Sequence, residues 1–375
     1  MDTSCPLRYR RIVAKLGTNL LTGGSDRLDL EVMSSLASQV SRLHRQQAEI
    51  IIITSGAITA GSYKLRHLRS RAQPSRQVRA ALGQSELMHA YDQLFSWHDI
   101  PVAQALISRR DVEDRSGYLN VRNTLLALLD LGAVPIVNEN DVVSTDEIEG
   151  VFFGDNDNLS GMVANLVDAD LLALLTDIEG LFTADPRQDP NARLIPRVDT
   201  VDRYIEAIAQ NTTNTQAIGG MATKIQAAKL ATVSGVAVSI AHGRTPNVLK
   251  RLAYGEELGT LFPPSTSKLE SRKRWMLSRV TNQGSLVVDE GAAKALREGR
   301  GSLLPVGVRE VRGIFSRGDI VDILNGEDLR LARGICNYSS SAIKQLQGRR
   351  SQEIEQAVGY HFGDEVVHRN NLVLI

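Results

Sequence analysis

Residues 49–56 read EIIIITSG, and residues 170–177 read DLLALLTD. Each stretch contains an apolar run of strand length with no polar residue alternating inside it. Strands with one solvated face alternate apolar and polar residues, whereas continuous apolar runs are typical of strands in a parallel sheet that is covered on both faces. The two stretches therefore predict an α/β fold with helices on both sides of a sheet.

The chain around these two stretches repeats the same alternation of strands and helices. Further apolar runs of strand length are RIVAKLG (11–17), PVAQALI (101–107), AVPIVNEN (133–140) and VAVSIA (236–241). Helical periodicity between the strands predicts helices at 28–43, 78–95, 116–131, 159–166 and 222–233. We therefore expect a three-layer αβα sandwich with a mostly parallel sheet over residues 1–262.

The sequence pattern changes after this region. Residues 263–280 are rich in Pro and Ser and then basic, which is typical of a linker. Shorter strand-like pieces with Gly-centred turns follow, such as GSLVVDEG, GIFSRGDIVDIL and NNLVLI. We expect a small, mainly β domain over residues 281–375.

Composition excludes several classes of protein. The chain has 375 residues, 42% of them hydrophobic, and its 43 Lys and Arg residues balance 43 Asp and Glu residues. Two cysteines and seven scattered histidines form no disulfide framework, zinc motif or hydrolase motif. The longest apolar runs fall far short of the roughly 20 residues that span a bilayer, and no secretory signal is visible. These features predict a cytoplasmic protein that does not enter a membrane.

Polar and glycine residues follow several of the predicted strands. In open α/β sheets, ligands bind beyond the carboxyl ends of the strands. The residues found there are Lys15, Gly17, Thr18, Ser55, Asp141, Thr176 and Asp177. A further stretch, GGMATK at 219–224, lies where a helix should begin, and helix N-termini and glycines favour phosphate groups.

Each of these features taken alone also fits a plain turn or a helix cap. A plain turn or cap explains Lys15 least well, because Lys15 lies inside an apolar strand and a buried ammonium group needs a partner. Their common position at one edge of one sheet favours a phosphate-rich ligand. The chain has neither GxxxxGK[ST] nor GxGxxG, which excludes the Walker and Rossmann phosphate loops.

The stretch GDNDN at 154–158 places four Asp and Asn residues in front of a predicted helix. Asn158 is a candidate N-cap for that helix. A metal site and a site for a polar substrate are the alternative interpretations.

These motifs, in this order, resemble the glutamate 5-kinases of the amino acid kinase superfamily, and the tail resembles a PUA domain. The resemblance is carried by VAKLGTNLLTGG, IIITSGAITAG, VPIVNENDVV, GDNDNLS, LLTDIEGLFTADP and GGMATK, and by VDEGAAKALREGRGSLLPVGV in the tail. It covers nearly the whole chain. It implies transfer of a phosphoryl group from ATP, with Mg²⁺, to the side-chain carboxylate of L-glutamate, the first step of proline biosynthesis. Feedback inhibition by proline and a homo-oligomer, a dimer or a tetramer, are also implied.

The resemblance also assigns roles to residues. Lys15 and Lys224 would neutralise phosphoryl charge, and Asp157 would hold both lysines. Ser55, Asp141 and Asn156 would contact glutamate, and Asp155 would orient that region. The residues implied in nucleotide binding are Lys15, Gly17, Thr18, Thr176, Asp177, Ile218, Gly219, Gly220, Met221, Ala222, Thr223 and Lys224. No protein ligand for Mg²⁺ is implied.

Two departures from the family pattern and two alternative functions remain. Ile218 has no side-chain hydrogen-bonding group, and residues 142–153 form a longer segment than the family pattern has. The alternatives are an amino acid kinase with another carboxylate substrate and an RNA-binding PUA protein whose kinase-like domain senses a ligand. Residues 276–375 contain 13 Lys and Arg against 12 Asp and Glu, a net charge of +1. RNA affinity depends mainly on phosphate neutralisation, so a regulatory or structural role is favoured for the tail.

Overall fold

A computed structural model of the chain describes residues 6–66, 74–143, 156–211, 220–268, 284–298 and 301–375. The chain divides into two compact units. The first contains Met1–Val112 and Val121–Lys268, and the second contains Glu113–Asn120 and Leu269–Ile375. In the ranges that are described, no helix combines the length and the apolar character needed to cross a bilayer.

A seven-stranded sheet forms the centre of the first unit. Its strands are β1 (Arg11–Leu16), β2 (Glu49–Ile53), β3 (Val102–Ile107), β4 (Val134–Glu139), β5 (Leu171–Thr176), β6 (Ala237–His242) and β7 (Thr260–Phe262). Their order is β3-β4-β2-β1-β5-β6-β7, and among the described strands only the β6–β7 pairing is antiparallel. The predicted mostly parallel sheet is confirmed. Because β1 lies between β2 and β5, its carboxyl end is near the middle of the sheet edge.

Helices follow most of these strands. They are α1 (Thr18–Thr22), α2 (Leu30–His44), α3 (Ala57–Leu65), α4 (Arg76–Ser96), α5 (Arg109–Glu113), α6 (Arg115–Asp130), α7 (Asn156–Leu166), α8 (Arg203–Asn211), α9 (Met221–Val233) and α10 (Val248–Ala253). The five helices predicted from periodicity correspond to α2, α4, α6, α7 and α9. Periodicity did not indicate α1, which has only five residues, or α3, whose sequence AITAGSYKL contains a glycine.

The two faces of the sheet are covered by different helices. Ile12, Ala14 and Leu16 of β1 pack with residues of α2 in one core cluster. Side chains alternate along a strand, so Lys15 points to the opposite face, where α7 packs against β1. Lys15 is only 4% exposed there. The fold therefore buries a lysine at the carboxyl end of a central strand.

Helices α3 and α4 pack with their backbones in contact. A Cβ atom on Gly61 would lie 1.7 Å from the carbonyl oxygen of Arg79, and one on Gly83 would lie 1.8 Å from that of Ala57. Only glycine fits at these two positions. The close crossing brings α4 to the carboxyl end of β2, where the Tyr91 hydroxyl lies 2.8 Å from Oγ1 of Thr54.

The second unit contains a separate five-stranded sheet. Its strands are β8 (Gly284–Val288), β9 (Val308–Gly313), β10 (Ile320–Leu324), β11 (Arg330–Ile335) and β12 (Leu372–Leu374), in the order β12-β11-β10-β8-β9. All described pairings are antiparallel except β8–β10. Short helices at Glu290–Arg297, Ser340–Leu346 and Ile354–Val358 complete its core. The predicted mainly β fold of the tail is confirmed.

Candidate active site

A buried carboxylate joins two lysines from different parts of the chain. Oδ1 of Asp157 lies 2.5 Å from Nζ of Lys15, and Oδ2 lies 3.1 Å from Nζ of Lys224. Asp157 is completely buried, and Lys15 and Lys224 are 4% and 6% exposed. The hydroxyl of Thr223 lies 2.8 Å from the same Oδ2 atom. Strand β1 and helices α7 and α9 thus meet at one carboxylate.

The charges of this group do not balance. Burial alone would raise the pKa of the Asp157 carboxyl, but the ammonium groups of Lys15 and Lys224 outweigh burial and lower it well below its ordinary value. Asp157 is therefore ionised at neutral pH. Two ammonium groups and one carboxylate carry a formal charge of +1 among themselves, and the carboxylate of Asp177 also interacts with Lys224.

Two glycine-containing segments lie next to the lysines, and one of them begins a helix. The N–H of Gly17 donates to the carbonyl of Leu175 at 3.1 Å, and a Cβ on Gly17 would lie 4.0 Å from Nζ of Lys15. The Gly17 N–H is therefore engaged with β5, and a Cβ at this position would make only ordinary van der Waals contact with the ammonium group. Helix α9 begins at Met221 with Gly220 as its N-cap residue, so its positive end lies next to Lys224. The helix start predicted at GGMATK is confirmed.

A second carboxylate lies at the end of β5. Oδ2 of Asp177 accepts a hydrogen bond from Nδ2 of Asn19, and Oδ1 accepts one from Oγ1 of Thr176, both at 3.0 Å. Partial desolvation would raise the pKa of Asp177, but the hydrogen bonds from Asn19 and Thr176 outweigh it and lower the pKa. Sequence reasoning missed Asn19, although it immediately follows Thr18 in the motif GTNLLTGG.

The amide of Asn156 contacts the carboxyl ends of two strands, β2 and β4. Its Nδ2 atom lies 2.8 Å from the carbonyl oxygen of Thr54, 2.9 Å from Oγ of Ser55 and 3.1 Å from Oδ1 of Asn138. Asp141 follows β4 by two residues at the same sheet edge. Sequence reasoning predicted Asn156, Ser55 and Asp141 but missed Thr54 and Asn138. Asn138 is the first residue of NEND, in which the sequence analysis assigns a role only to Asp141.

Glycine at position 56 gives the turn after β2 its shape. Gly56 has φ of 97°, in the left-handed region that favours glycine, and it is the N-cap residue of α3. The turn places Ser55 between the end of β2 and the helix, within reach of Asn156. The conformation therefore explains why Gly follows Ser in SGAITAG.

The prediction that Asn158 caps a helix is wrong. Helix α7 begins at Asn156, so Asn158 lies in its first turn. Asn156 and Asp157, rather than Asn158, direct their side chains to strand ends and lysines. Among the predicted site residues, Asp155, Ile218 and Gly219 lie outside the described residues, as does most of the 142–153 segment.

A cluster of ligands for a metal ion was a third interpretation of GDNDN. Within the residues that the structure describes, no group of three or more His, Cys, Asp or Glu side chains is arranged to hold a metal ion. Asp157 is engaged with two ammonium groups, and Asp177 is the ionised carboxylate described at the neighbouring strand end. A divalent cation here would need oxygen ligands from a bound phosphate compound.

An open α/β sheet with buried lysines and a helix N-terminus at one edge suits the binding of phosphate groups, and the sequence comparisons identify the class of protein as a kinase. Residues 10–242 match the sequence model of the amino acid kinase family, and residues 284–358 match that of the PUA domain. The chain belongs to the amino acid kinase family, and within it to the glutamate 5-kinases.

Relatives that match over the full length support the assignment to the glutamate 5-kinases. A glutamate 5-kinase from Dehalococcoides mccartyi (strain CBDB1) is 52% identical, with 100% of both chains covered. One from Herpetosiphon aurantiacus is 46% identical over 97% of this chain and 98% of its own. Among solved structures, a UMP kinase from Bacillus anthracis matches 69% of this chain and 97% of its own, with a TM-score of 0.49 and 17% identity.

Proposed function

We propose that the protein phosphorylates the side-chain carboxylate of L-glutamate with ATP, giving L-glutamyl 5-phosphate and ADP. The observation that carries this proposal is the Asp157 carboxylate, at the start of α7, holding Lys15 of β1 and Lys224 of α9. The names of the full-length relatives support glutamate as the substrate. The reaction would be the first step of proline biosynthesis.

The chemistry needs charge neutralisation more than proton transfer. The side-chain carboxyl of glutamate has a pKa of about 4.3, so it is already a nucleophilic anion at neutral pH. One of its oxygens bonds to the γ-phosphorus of ATP, while the bond from that phosphorus to the β,γ-bridging oxygen breaks and its electrons leave with ADP. Two anions must approach each other, so positioning and electrostatic stabilisation supply most of the catalysis.

The lysines and the glycines next to them form the proposed phosphate side. We assign Lys15, with Gly17 and Thr18, to the transferred phosphoryl group, and Lys224 to the nucleotide phosphates. Asp157 is a positioning residue that holds both ammonium groups. The remaining residues assigned to the nucleotide are Thr176, Asp177, Ile218, Gly219, Gly220, Met221, Ala222 and Thr223.

The substrate side is assigned to the group around Asn156. Asn156 and Ser55 lie 2.9 Å apart and would contact glutamate together. Asp141, at the same sheet edge, is also assigned to contact glutamate, and Asp155 is assigned to orient that region. Because Asn156 and Asp157 are consecutive at the start of α7, a substrate held by Asn156 lies next to the lysines.

Mg²⁺ is assigned to this site as the companion of ATP. The donor set fits such an ion, because Asp177 offers an ionised carboxylate and Mg²⁺ usually takes one or two carboxylates together with substrate phosphates and water. When bound, it supplies further neutralisation of phosphate charge.

Regulation and assembly belong to the same proposal. Proline shares an α-carboxylate and a cationic nitrogen with glutamate, so we expect it to compete for the Asn156 side of the site.

We also propose a homo-oligomer, a cytoplasmic location, and the division 1–262, 263–280 and 281–375 into kinase domain, linker and PUA domain. For the PUA domain we propose a regulatory or structural role, because its net charge is close to zero.

The deciding experiment supplies ATP, Mg²⁺, hydroxylamine and one carboxylate at a time, and measures hydroxamate formation. We expect product with L-glutamate and at least 100-fold less with L-aspartate or N-acetylglutamate. Product with one of the other two acids and none with glutamate contradicts the proposal and identifies another amino acid kinase. No product with any acid, together with salt-sensitive RNA binding, favours the RNA-binding alternative.

A further inference from the structure

Three side-chain amides form a chain at the proposed substrate side. Nδ2 of Asn138 donates to Oε1 of Gln84 at 2.9 Å, and Nδ2 of Asn156 donates to Oδ1 of Asn138 at 3.1 Å. Asn138 is 2% exposed. Gln84 lies on α4, Asn138 on β4 and Asn156 at the start of α7, so the chain links three elements.

Backbone groups fix which end of each amide is oxygen. The N–H of Glu139 donates to Oδ1 of Asn138 at 2.9 Å, and the carbonyl oxygen of Thr54 accepts from Nδ2 of Asn156 at 2.8 Å. A backbone N–H can only donate and a backbone carbonyl can only accept. The oxygen and nitrogen ends of an amide are otherwise interchangeable by shape. Here the backbone contacts determine the orientations of Asn138 and Asn156, and Gln84 must then turn Oε1 towards Nδ2 of Asn138.

In this arrangement one hydrogen-bond acceptor and one donor of the three amides stay unpaired among the described residues. Oδ1 of Asn156 and Nε2 of Gln84 are both buried, and neither has a hydrogen-bond partner in the part of the chain that the structure describes. A buried polar group without a partner costs about 1–3 kcal/mol. Such groups in a folded protein call for an explanation, and a bound ligand is one.

The backbone of α4 holds Gln84 in place. The neighbouring Gly83 lies against the carbonyl of Ala57 in the crossing with α3, where no Cβ would fit. Two turns further along α4, Tyr91 is tied to Thr54, the residue whose carbonyl receives Asn156. The helix face that carries Gln84 and Tyr91 is therefore fixed against the strand ends.

The free donor of Gln84 and the free acceptor of Asn156 match the two charged substituents on the α-carbon of an amino acid. An α-ammonium group only donates hydrogen bonds and an α-carboxylate only accepts them. The side-chain carboxylate of the substrate must lie at the lysines for phosphoryl transfer, so its α-substituents are left for the amides. We propose that Gln84 determines substrate specificity by donating from Nε2 to the α-carboxylate, while Oδ1 of Asn156 accepts from the α-ammonium. This inference rests on the proposed function.

The test compares substrates that lack one α-substituent. L-Glutamate, 4-aminobutyrate (no α-carboxylate) and glutarate (no α-ammonium) are assayed for hydroxamate formation with the unmodified enzyme and with Gln84→Glu. This variant keeps an acceptor for Asn138 and replaces the donor by a carboxylate oxygen. Gln93→Glu is the matched control, because Gln93 is an exposed residue on the same helix.

The expected result is a selective loss. The unmodified enzyme should prefer glutamate over 4-aminobutyrate by at least 100-fold in kcat/KM. Gln84→Glu should reduce that preference at least tenfold. It should change kcat/KM for 4-aminobutyrate by less than threefold and leave KM for ATP unchanged. Gln93→Glu should leave all values within twofold.

Other outcomes overturn the inference. An equal loss of kcat/KM on all three substrates means that Gln84 is only structural. Should Gln84→Glu not fold, as judged by its thermal unfolding, Gln84→Met, which has no donor, gives the same comparison. Without any variant, an unmodified enzyme that uses 4-aminobutyrate within tenfold of glutamate also refutes it. If the unmodified enzyme makes no product from glutamate, the proposed function itself has failed.

Discussion

Nζ of Lys15 lies 2.5 Å from Oδ1 of Asp157, although Lys15 belongs to the first strand and Asp157 to a helix far along the chain. Both are buried, and Lys224 contacts the other oxygen of the same carboxylate. Isolated buried charges are unstable, so the three groups depend on one another. The arrangement places two ammonium groups at the sheet edge, where we propose that the phosphates of ATP and the glutamate carboxylate meet.

Asp157→Asn should reduce both stability and activity. It leaves two buried ammonium groups without their carboxylate, and loss of one partner of a buried ion pair costs about 3–5 kcal/mol. We expect that loss in urea unfolding at pH 7, and a fall in kcat of at least about 100-fold. Asp199→Asn is the control, because its side chain is 71% exposed in a surface pair. An unchanged unfolding free energy contradicts the role of Asp157.

The difference in stability between Asp157→Asn and the unmodified protein should depend on pH. The pKa of Asp157 is lowered in the folded protein, so its carboxylate stabilises the fold fully above the ordinary aspartate pKa of about 3.9. As the pH falls below that value, the stabilisation should decrease by about 1.4 kcal/mol per pH unit. Urea unfolding of both proteins between pH 7 and pH 3 measures this, and a constant difference contradicts it.

Lys224→Ala should lose most of kcat while the protein still folds. The change removes one of the two groups that we propose to neutralise phosphate charge, and loss of a single such group costs about 100- to 1,000-fold. Lys229→Ala, an exposed lysine on the same helix, should stay within twofold of the unmodified enzyme. Hydroxamate kinetics and thermal unfolding measure both effects. A fully active Lys224→Ala enzyme refutes the assignment.

Gly83→Ala should disrupt the crossing of α3 and α4. The new Cβ would lie 1.8 Å from the Ala57 carbonyl oxygen, a backbone atom that cannot move away alone. We expect a destabilisation of about 2–3 kcal/mol and a higher KM for glutamate, since α4 carries Gln84. Gly291→Ala is the control, because its Cβ would meet nothing closer than 3.4 Å. Calorimetry should show a lowered Tm for the first variant and an unchanged or higher one for the second.

Tyr91→Phe should destabilise the protein by about 0.5–1.5 kcal/mol. It removes the buried hydrogen bond of 2.8 Å between the Tyr91 hydroxyl and Thr54. Tyr204→Phe, at a side chain that is 65% exposed, should have no measurable effect. Equal unfolding midpoints of the Tyr91→Phe variant and the unmodified protein would show that the bond does not contribute.

Much of the fold was predictable because it depends on local patterns. The apolar runs at 49–53 and 171–176 are buried strands, and the helices with clear 3.6-residue periodicity were found within a few residues of their bounds. Periodicity reports which side of an element is buried, and that information is present in neighbouring residues. The assignment of Asn158 as a cap failed because the residue that begins a helix depends on contacts beyond it, here those of Asn156 with strand ends.

The sequence by itself determined the six parallel strands β1–β6, the helix start near Met221 and the presence of a lysine inside an apolar strand. Only the tertiary structure decided which groups meet there. Asn19, Thr54 and Asn138 lie inside the motifs but had no role assigned from sequence, and Gln84 lies outside them; each makes its contacts with partners on other elements. Strand order and the glycine-mediated crossing of α3 and α4 set those contacts. Such contacts join residues distant in sequence, so local pattern cannot specify them.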